Sequence, residues 1–147
     1  MDFPEAVDIL LVEDNPHDTE LTRRALKKLN LDVKLYVVED GWQALEFLFC
    51  EGIYKDRNII YKPKVIMLDL KLPKVDGLKV LTIIKADQRT NRIPVVILSS
   101  SKEDPDIKTA YDLGANSYVV KPVDFDSFMD SISHLGFYWL LVNQWPK

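Results

Sequence analysis

KVIMLDLKLPKVDG, running from Lys64 to Gly77, decides the fold. Val65, Ile66, Met67 and Leu68 form an unbroken apolar run, and Asp69 ends it. A run without alternation predicts a strand buried on both faces, as in a parallel sheet. An unpaired carboxylate inside such a core costs on the order of several kcal/mol. Asp69 therefore belongs at the end of the strand, where water, a metal or another charge can reach it. Loop residues follow in LPKVDG, with Pro73 and Gly77.

The same form recurs on either side. VDILLVED (Val7 to Asp14) is a second apolar run ending in acid, and predicts strand 1. In NPHDTELTRRALKKLN, Asn15 suits an N-cap, Pro16 the first helical position and Asp18 the first turn. Leu21, Ala25, Leu26 and Leu29 share a face of that helix. DVKLYVVED predicts strand 2, and GWQALEFLFC helix 2. EGIYKDRNIIYKPK has no clear period, so a surface loop is expected over that insert near residues 51–62. After strand 3, GLKVLTIIKAD predicts helix 3 and IPVVILSS strand 4. Asp104 and Pro105 can cap and start helix 4, which Leu113 and Gly114 close. NSYVVKP is a short strand 5, and DFDSFMDSISHLGFYWLLVNQWP a helix 5 stopped near Pro146. Strands alternating with helices in this way mean an α/β fold with a parallel sheet and right-handed crossovers.

The chain has 147 residues, 47% hydrophobic and 29% charged, which fits one globular domain with a full core. Its net charge of −4, with no block of like charge, argues against nucleic acid as a partner. No apolar run reaches the roughly 18 residues of a membrane span, so no membrane association is expected. The start lacks the basic segment of a secretion signal, and the single Cys50 permits no internal disulfide. Both fit a cytoplasmic location.

In parallel α/β sheets, ligands bind outside the carboxyl ends of the strands. Strand 1 ends in Glu13 and Asp14, strand 3 in Asp69, strand 4 in Ser99, and strand 5 in Lys121 followed by Pro122. Clustered carboxylates repel, and one takes up a proton unless a cation intervenes. A hard divalent ion such as Mg2+ suits an all-oxygen set. With Lys121 on the other side, the edge can neutralise an incoming phosphoryl group, and Asp69 can serve as its nucleophile.

These residues, in this order and on these elements, resemble the receiver domain of two-component response regulators. The resemblance spans nearly the whole chain and implies a flavodoxin-like (βα)5 three-layer sandwich with strand order 2-1-3-4-5, residues 1–147 forming one receiver domain with no output domain. It implies that Asp69 is the phosphoacceptor. Asp14 and Asp69 would ligate Mg2+ with the backbone carbonyl of Lys71, and Glu13 would act through water. Lys121 would pair with the carboxylate and then with a phosphoryl oxygen. Ser99 would donate to that group, and Tyr118 falls at the aromatic switch position, so the helix 4, strand 5 and helix 5 face would change on phosphorylation. Glu13 departs from the aspartate commoner in that family. LVEDNPHDTELTRRAL, the insert, YDLGANSYVVKP and the aromatic tail are similar to the stand-alone regulators that partner bacterial phytochrome histidine kinases. A different sensor kinase, or a place as a phosphorelay intermediate, is the alternative.

A Mg2+-dependent hydrolase of the haloacid dehalogenase type also uses an aspartate nucleophile. It needs a second aspartate two residues later, where this chain has Lys71. The receiver chemistry is limited to the chain's own phosphorylation and slow dephosphorylation. His17, His134 and Cys50 are expected to be surface or packing residues. In helix 5, Phe125, Phe128, Met129, Ile132, Leu135, Trp139 and Val142 fall on one helical stripe and are expected in the core. Phe137, Tyr138, Leu140 and Leu141 fall elsewhere and predict a homodimer or kinase-docking surface on helix 5 and the tail to Trp145.

Overall fold

A computed structural model describes residues 6–145. Five parallel strands, β1 (Ile9–Val12), β2 (Leu35–Val38), β3 (Val65–Leu68), β4 (Val95–Ser99) and β5 (Ser117–Val120), form one sheet in the order β2-β1-β3-β4-β5. Helices α1 (Pro16–Lys27), α2 (Gly41–Phe49), α3 (Gly77–Ala86), α4 (Asp104–Asp112) and α5 (Phe125–Phe137) connect and follow them. The expected flavodoxin-like layering is present.

The bare apolar runs are strands because helices cover both faces of the sheet. β1, β3 and β4 are buried at every position. Alternate residues feed two cores. Leu10, Val12, Ile66, Leu68 and Ile97 pack with Phe47, Leu81 and Ile84 from α2 and α3. Ile9, Leu11, Met67, Val96 and Leu98 pack with Leu26 of α1 and with Phe128 and Ile132 of α5. Strand register sets the level of the strand ends: Val12 lies beside Leu68, so Glu13 and Asp69 leave neighbouring strands together.

Side-chain caps fix the helix starts. Asn15 Oδ1 accepts from His17 N at 2.9 Å, with Pro16 opening α1. Asp40 caps α2 through Gln43 N, and Asp124 caps α5 through Ser127 N. Gly77 is required by close approach: a Cβ there would stand 2.4 Å from Asp69 O and 2.6 Å from Leu70 Cα. This glycine lets α3 begin directly behind the end of β3.

Three expectations are corrected. The insert is not simply a surface loop. It forms a 3-10 turn, Gly52–Tyr54, and buries Tyr54 and Arg57. Tyr54 meets Phe47 edge-on at 5.2 Å and shares a hydrogen bond with Tyr36 Oη. Arg57 lies over the Phe47 ring and donates to Phe47 O and Tyr61 O, which ties the insert to the end of α2. Helix 5 is not one α-helix to Pro146. It gives way after Phe137 to a π-helical turn, Tyr138–Val142, closed by Asn143 N donating to Tyr138 O. That wider turn changes the helical phase, so Trp139 is buried while Val142 is exposed. Phe125, at the open first position of α5, is exposed as well. Finally, α4 begins at Asp104 with Glu103 as its cap residue, one position earlier than expected. The expected stop at Pro146 lies outside the described residues.

Candidate functional site

The carboxyl ends of β1, β3, β4 and β5 meet at one edge. Backbone bonds hold the ends in place: Glu13 N donates to Val38 O, Asp69 N to Val12 O and Lys121 N to Ser99 O. Glu13, Asp14 and Asp69 each offer a carboxylate oxygen, all within 4.8 Å of one another. Glu13 is buried and Asp14 exposed, so the cluster has a dry side and a wet side.

Lys121 closes the dry side. Its Nζ stands 2.6 Å from Glu13 Oε1, 2.9 Å from Asp18 Oδ2 and 3.3 Å from Asp69 Oδ2. An ammonium has three protons, and each finds a carboxylate. One cation thus serves three anions, with Asp14 beside them. Burial pushes the Glu13 carboxyl up to about 7; the Lys121 hydrogen bond and charge oppose that rise, and the Asp69 charge adds to it. Burial acts to lower Lys121, but its hydrogen bonds to Glu13 and Asp18 outweigh this and hold it above the usual lysine range. A 2.6 Å ion pair alone would depress Glu13. The upward direction holds because the glutamate is desolvated and shares Lys121 with two other carboxylates. An all-oxygen set with excess negative charge fits a hard divalent cation.

The other expected residues take these places. Lys71 has an exposed side chain, and its backbone N donates to Asp69 Oδ1 at 3.3 Å. Ser99 is buried, and its Oγ accepts from Ser101 N at 3.1 Å. Tyr118 is half-buried, and its hydroxyl donates to Ser101 O at 3.0 Å. Ser101 Oγ reaches Asp106 Oδ2 on α4 at 2.5 Å, so this serine joins Ser99, β5 and α4. His17 and His134 are exposed, and Cys50 is half-buried against Arg57. Phe137, Tyr138 and Leu141 are exposed, whereas Leu140 packs partly against the α1–α5 layer.

Sequence reasoning missed Asp18. It read as a helix-dipole acid, and nothing in its spacing points to Lys121. The available signal was topological: the N-terminus of α1 rises from the same sheet edge as the strand ends.

Residues 9–133 match the family model described as response regulator receiver domain. The chain belongs to that family. It is a phosphoacceptor regulator of two-component signalling, whose partner class is the histidine kinases. The probable methanogenesis regulatory protein FilR2 of Methanothrix harundinacea is 40% identical over 94% of this receiver and 86% of its own length. The phosphorylated cyanobacterial phytochrome response regulator RcpA superposes with a TM-score of 0.89, at 37% identity, covering 97% of this receiver and 99% of that chain. The Mn(2+)-bound form of the response regulator Rcp1, a Synechocystis protein, superposes with a TM-score of 0.88, at 35% identity, covering 98% and 100% of the two chains. Among the described residues, no helix is long and apolar enough to cross a membrane.

Proposed function

We propose that Asp69 takes the phosphoryl group from the phosphohistidine of a sensor kinase. The observation that carries this is the Lys121 ammonium 3.3 Å from Asp69 Oδ2, beside the Glu13–Asp14–Asp69 cluster. An Asp69 carboxylate oxygen attacks phosphorus, the P–N bond breaks, its electron pair returns to the imidazole, and an acyl phosphate remains. Asp14, Asp69 and the Lys71 carbonyl would hold Mg2+, with Glu13 acting through water. Bound there, the cation neutralises negative charge on the phosphoryl oxygens. Lys121 supplies the second positive charge from the dry side. Later attack by water on phosphorus returns the free carboxylate, so the chain's only chemistry is on itself.

Ser99 then exchanges the Ser101 N–H for the phosphoryl oxygen. That releases one bond at Ser101, the residue to which Tyr118 and Asp106 are tied, and alters the face formed by α4, β5 and α5. The readout is protein contact. Two copies pair through Phe137, Tyr138 and Leu141 beside α5, with Leu140 at the margin. The 37%-identical RcpA is a phytochrome response regulator, which supports a phytochrome kinase as the input here; a cytoplasmic location fits a chain whose single cysteine permits no internal disulfide. The 40% identity to a methanogenesis regulator favours the second reading, another sensor kinase on the same phosphoacceptor site.

The test is acetyl phosphate with Mg2+ on the intact protein and on Asp69→Asn, read by mass. One phosphate adduct on the former and none on the latter is expected. Equal labelling of both removes Asp69 from the role.

A further inference from the structure

Of the three carboxylates on Lys121, Asp18 alone stands outside the acidic cluster that fits a cation. It lies in the first turn of α1, its side chain 21% exposed, with Oδ2 2.9 Å from Lys121 Nζ. A carboxylate in a first helical turn needs no further reason than the helix dipole. That does not account for its being aimed at a lysine 103 residues away in the chain. The helix that carries it is well held: Asn15 caps it, and Leu21, Ala25 and Leu26 are buried against the α5 layer.

Glu13 and Asp69 cannot hold Lys121 constantly. Both belong to the cation-fitting cluster, and Asp69 is the group that changes covalently. Held by those two alone, the ammonium would be free on a flexible four-carbon stem whenever they changed partners. We propose that Asp18 is a positioning residue, the fixed anchor that keeps Lys121 over Asp69 while Glu13 and Asp69 exchange ligands. This rests on the reading of Asp69 as phosphoacceptor. Asp18 touches neither phosphorus nor the attacking oxygen, and acts only through Lys121. Its loss leaves the catalytic charge present but misplaced, and small misplacements of charge are costly to phosphoryl transfer.

The test is a double-mutant cycle on the full chain: wild type, Asp18→Asn, Lys121→Ala and the double variant, with Asp69→Asn as control. Phosphorylation by acetyl phosphate is timed at saturating Mg2+. Asp18→Asn is expected to slow it about tenfold where Lys121 is present, and less than about twofold where it is alanine. Equal losses in both backgrounds overturn the proposal, because a helix-dipole role does not depend on Lys121; so does the absence of any loss. If Lys121→Ala reacts too slowly to time, the same cycle is run on beryllofluoride affinity by 19F NMR, with the same two outcomes. A second readout reports position rather than rate: at saturating Mg2+, where Glu13 and Asp69 are drawn to the cation, the 15N signal of the Lys121 ammonium should broaden in Asp18→Asn, and an unchanged signal overturns the proposal. Failure of the wild type to be labelled at all overturns the phosphoacceptor reading itself and is told apart by the Asp69→Asn control.

Discussion

Lys121→Met keeps the length of the side chain and deletes its charge among Glu13, Asp18 and Asp69. Removing one partner of a buried ion pair costs about 3–5 kcal/mol, because the other charge is left uncompensated. Only Glu13 is fully enclosed here, at 3% side-chain exposure against 12% for Asp69 and 21% for Asp18, so the low end applies. The cost must also depend on pH. Burial already pushes Glu13 from 4.5 up to about 7. Deleting Lys121 removes the two largest influences that lower it, so it rises further. A carboxyl that binds its proton more tightly in the folded state loses stability as pH climbs from its unfolded value through its folded one. Protonating a carboxyl that titrates near 7 costs no more than about 1.4 kcal/mol at pH 8, so the variant should be about 3 kcal/mol less stable than wild type at pH 8 and about 1.6 kcal/mol less stable at pH 5, where Glu13 is protonated in both. Urea unfolding of the metal-free proteins, followed by tryptophan fluorescence, measures both. Millimolar Mg2+ at pH 8 should recover much of the loss, since a cation replaces the missing charge. An equal cost at the two pH values would refute this account of the site's electrostatics.

Three further outcomes are expected. Gly77→Ala drives a Cβ into the backbone at Asp69 and Leu70, so unfolding experiments should find about 1–3 kcal/mol lost, with phosphorylation slowed as well; a neutral change contradicts the close approach. Arg57→Met removes the bonds to Phe47 O and Tyr61 O, so stability should fall by about 2 kcal/mol, with faster amide exchange over residues 52–62; protection that does not change contradicts the anchoring. Tyr138→Glu places a charge on the exposed face beside α5, and sedimentation should detect weaker self-association; unchanged association takes that face out of the dimer.

The fold was legible because its strongest signals are local. Four unbroken apolar residues before Asp69, and the similar runs at β1 and β4, have no stable place except a covered sheet. The strand-end chemistry followed, since topology puts every carboxyl end on one edge. What stayed hidden depended on contacts distant in sequence. Asp18 is an ordinary first-turn acid until β5 brings Lys121 to it. Arg57 and Tyr54 sit in a stretch with no period, and become core residues only because Phe47 and Tyr36 leave room for them. A 3.6-residue period turns Val142 inward, and the π-helical turn does not keep that period.

The most direct measurement is the position of the acyl phosphate. After acetyl phosphate and Mg2+, borohydride reduction converts a phosphorylated aspartate to homoserine, which peptide mass spectrometry locates. The account predicts homoserine at position 69 alone, dependent on Mg2+. Homoserine at Asp14 or Asp18, or no reduction product in the presence of both reagents, would contradict it.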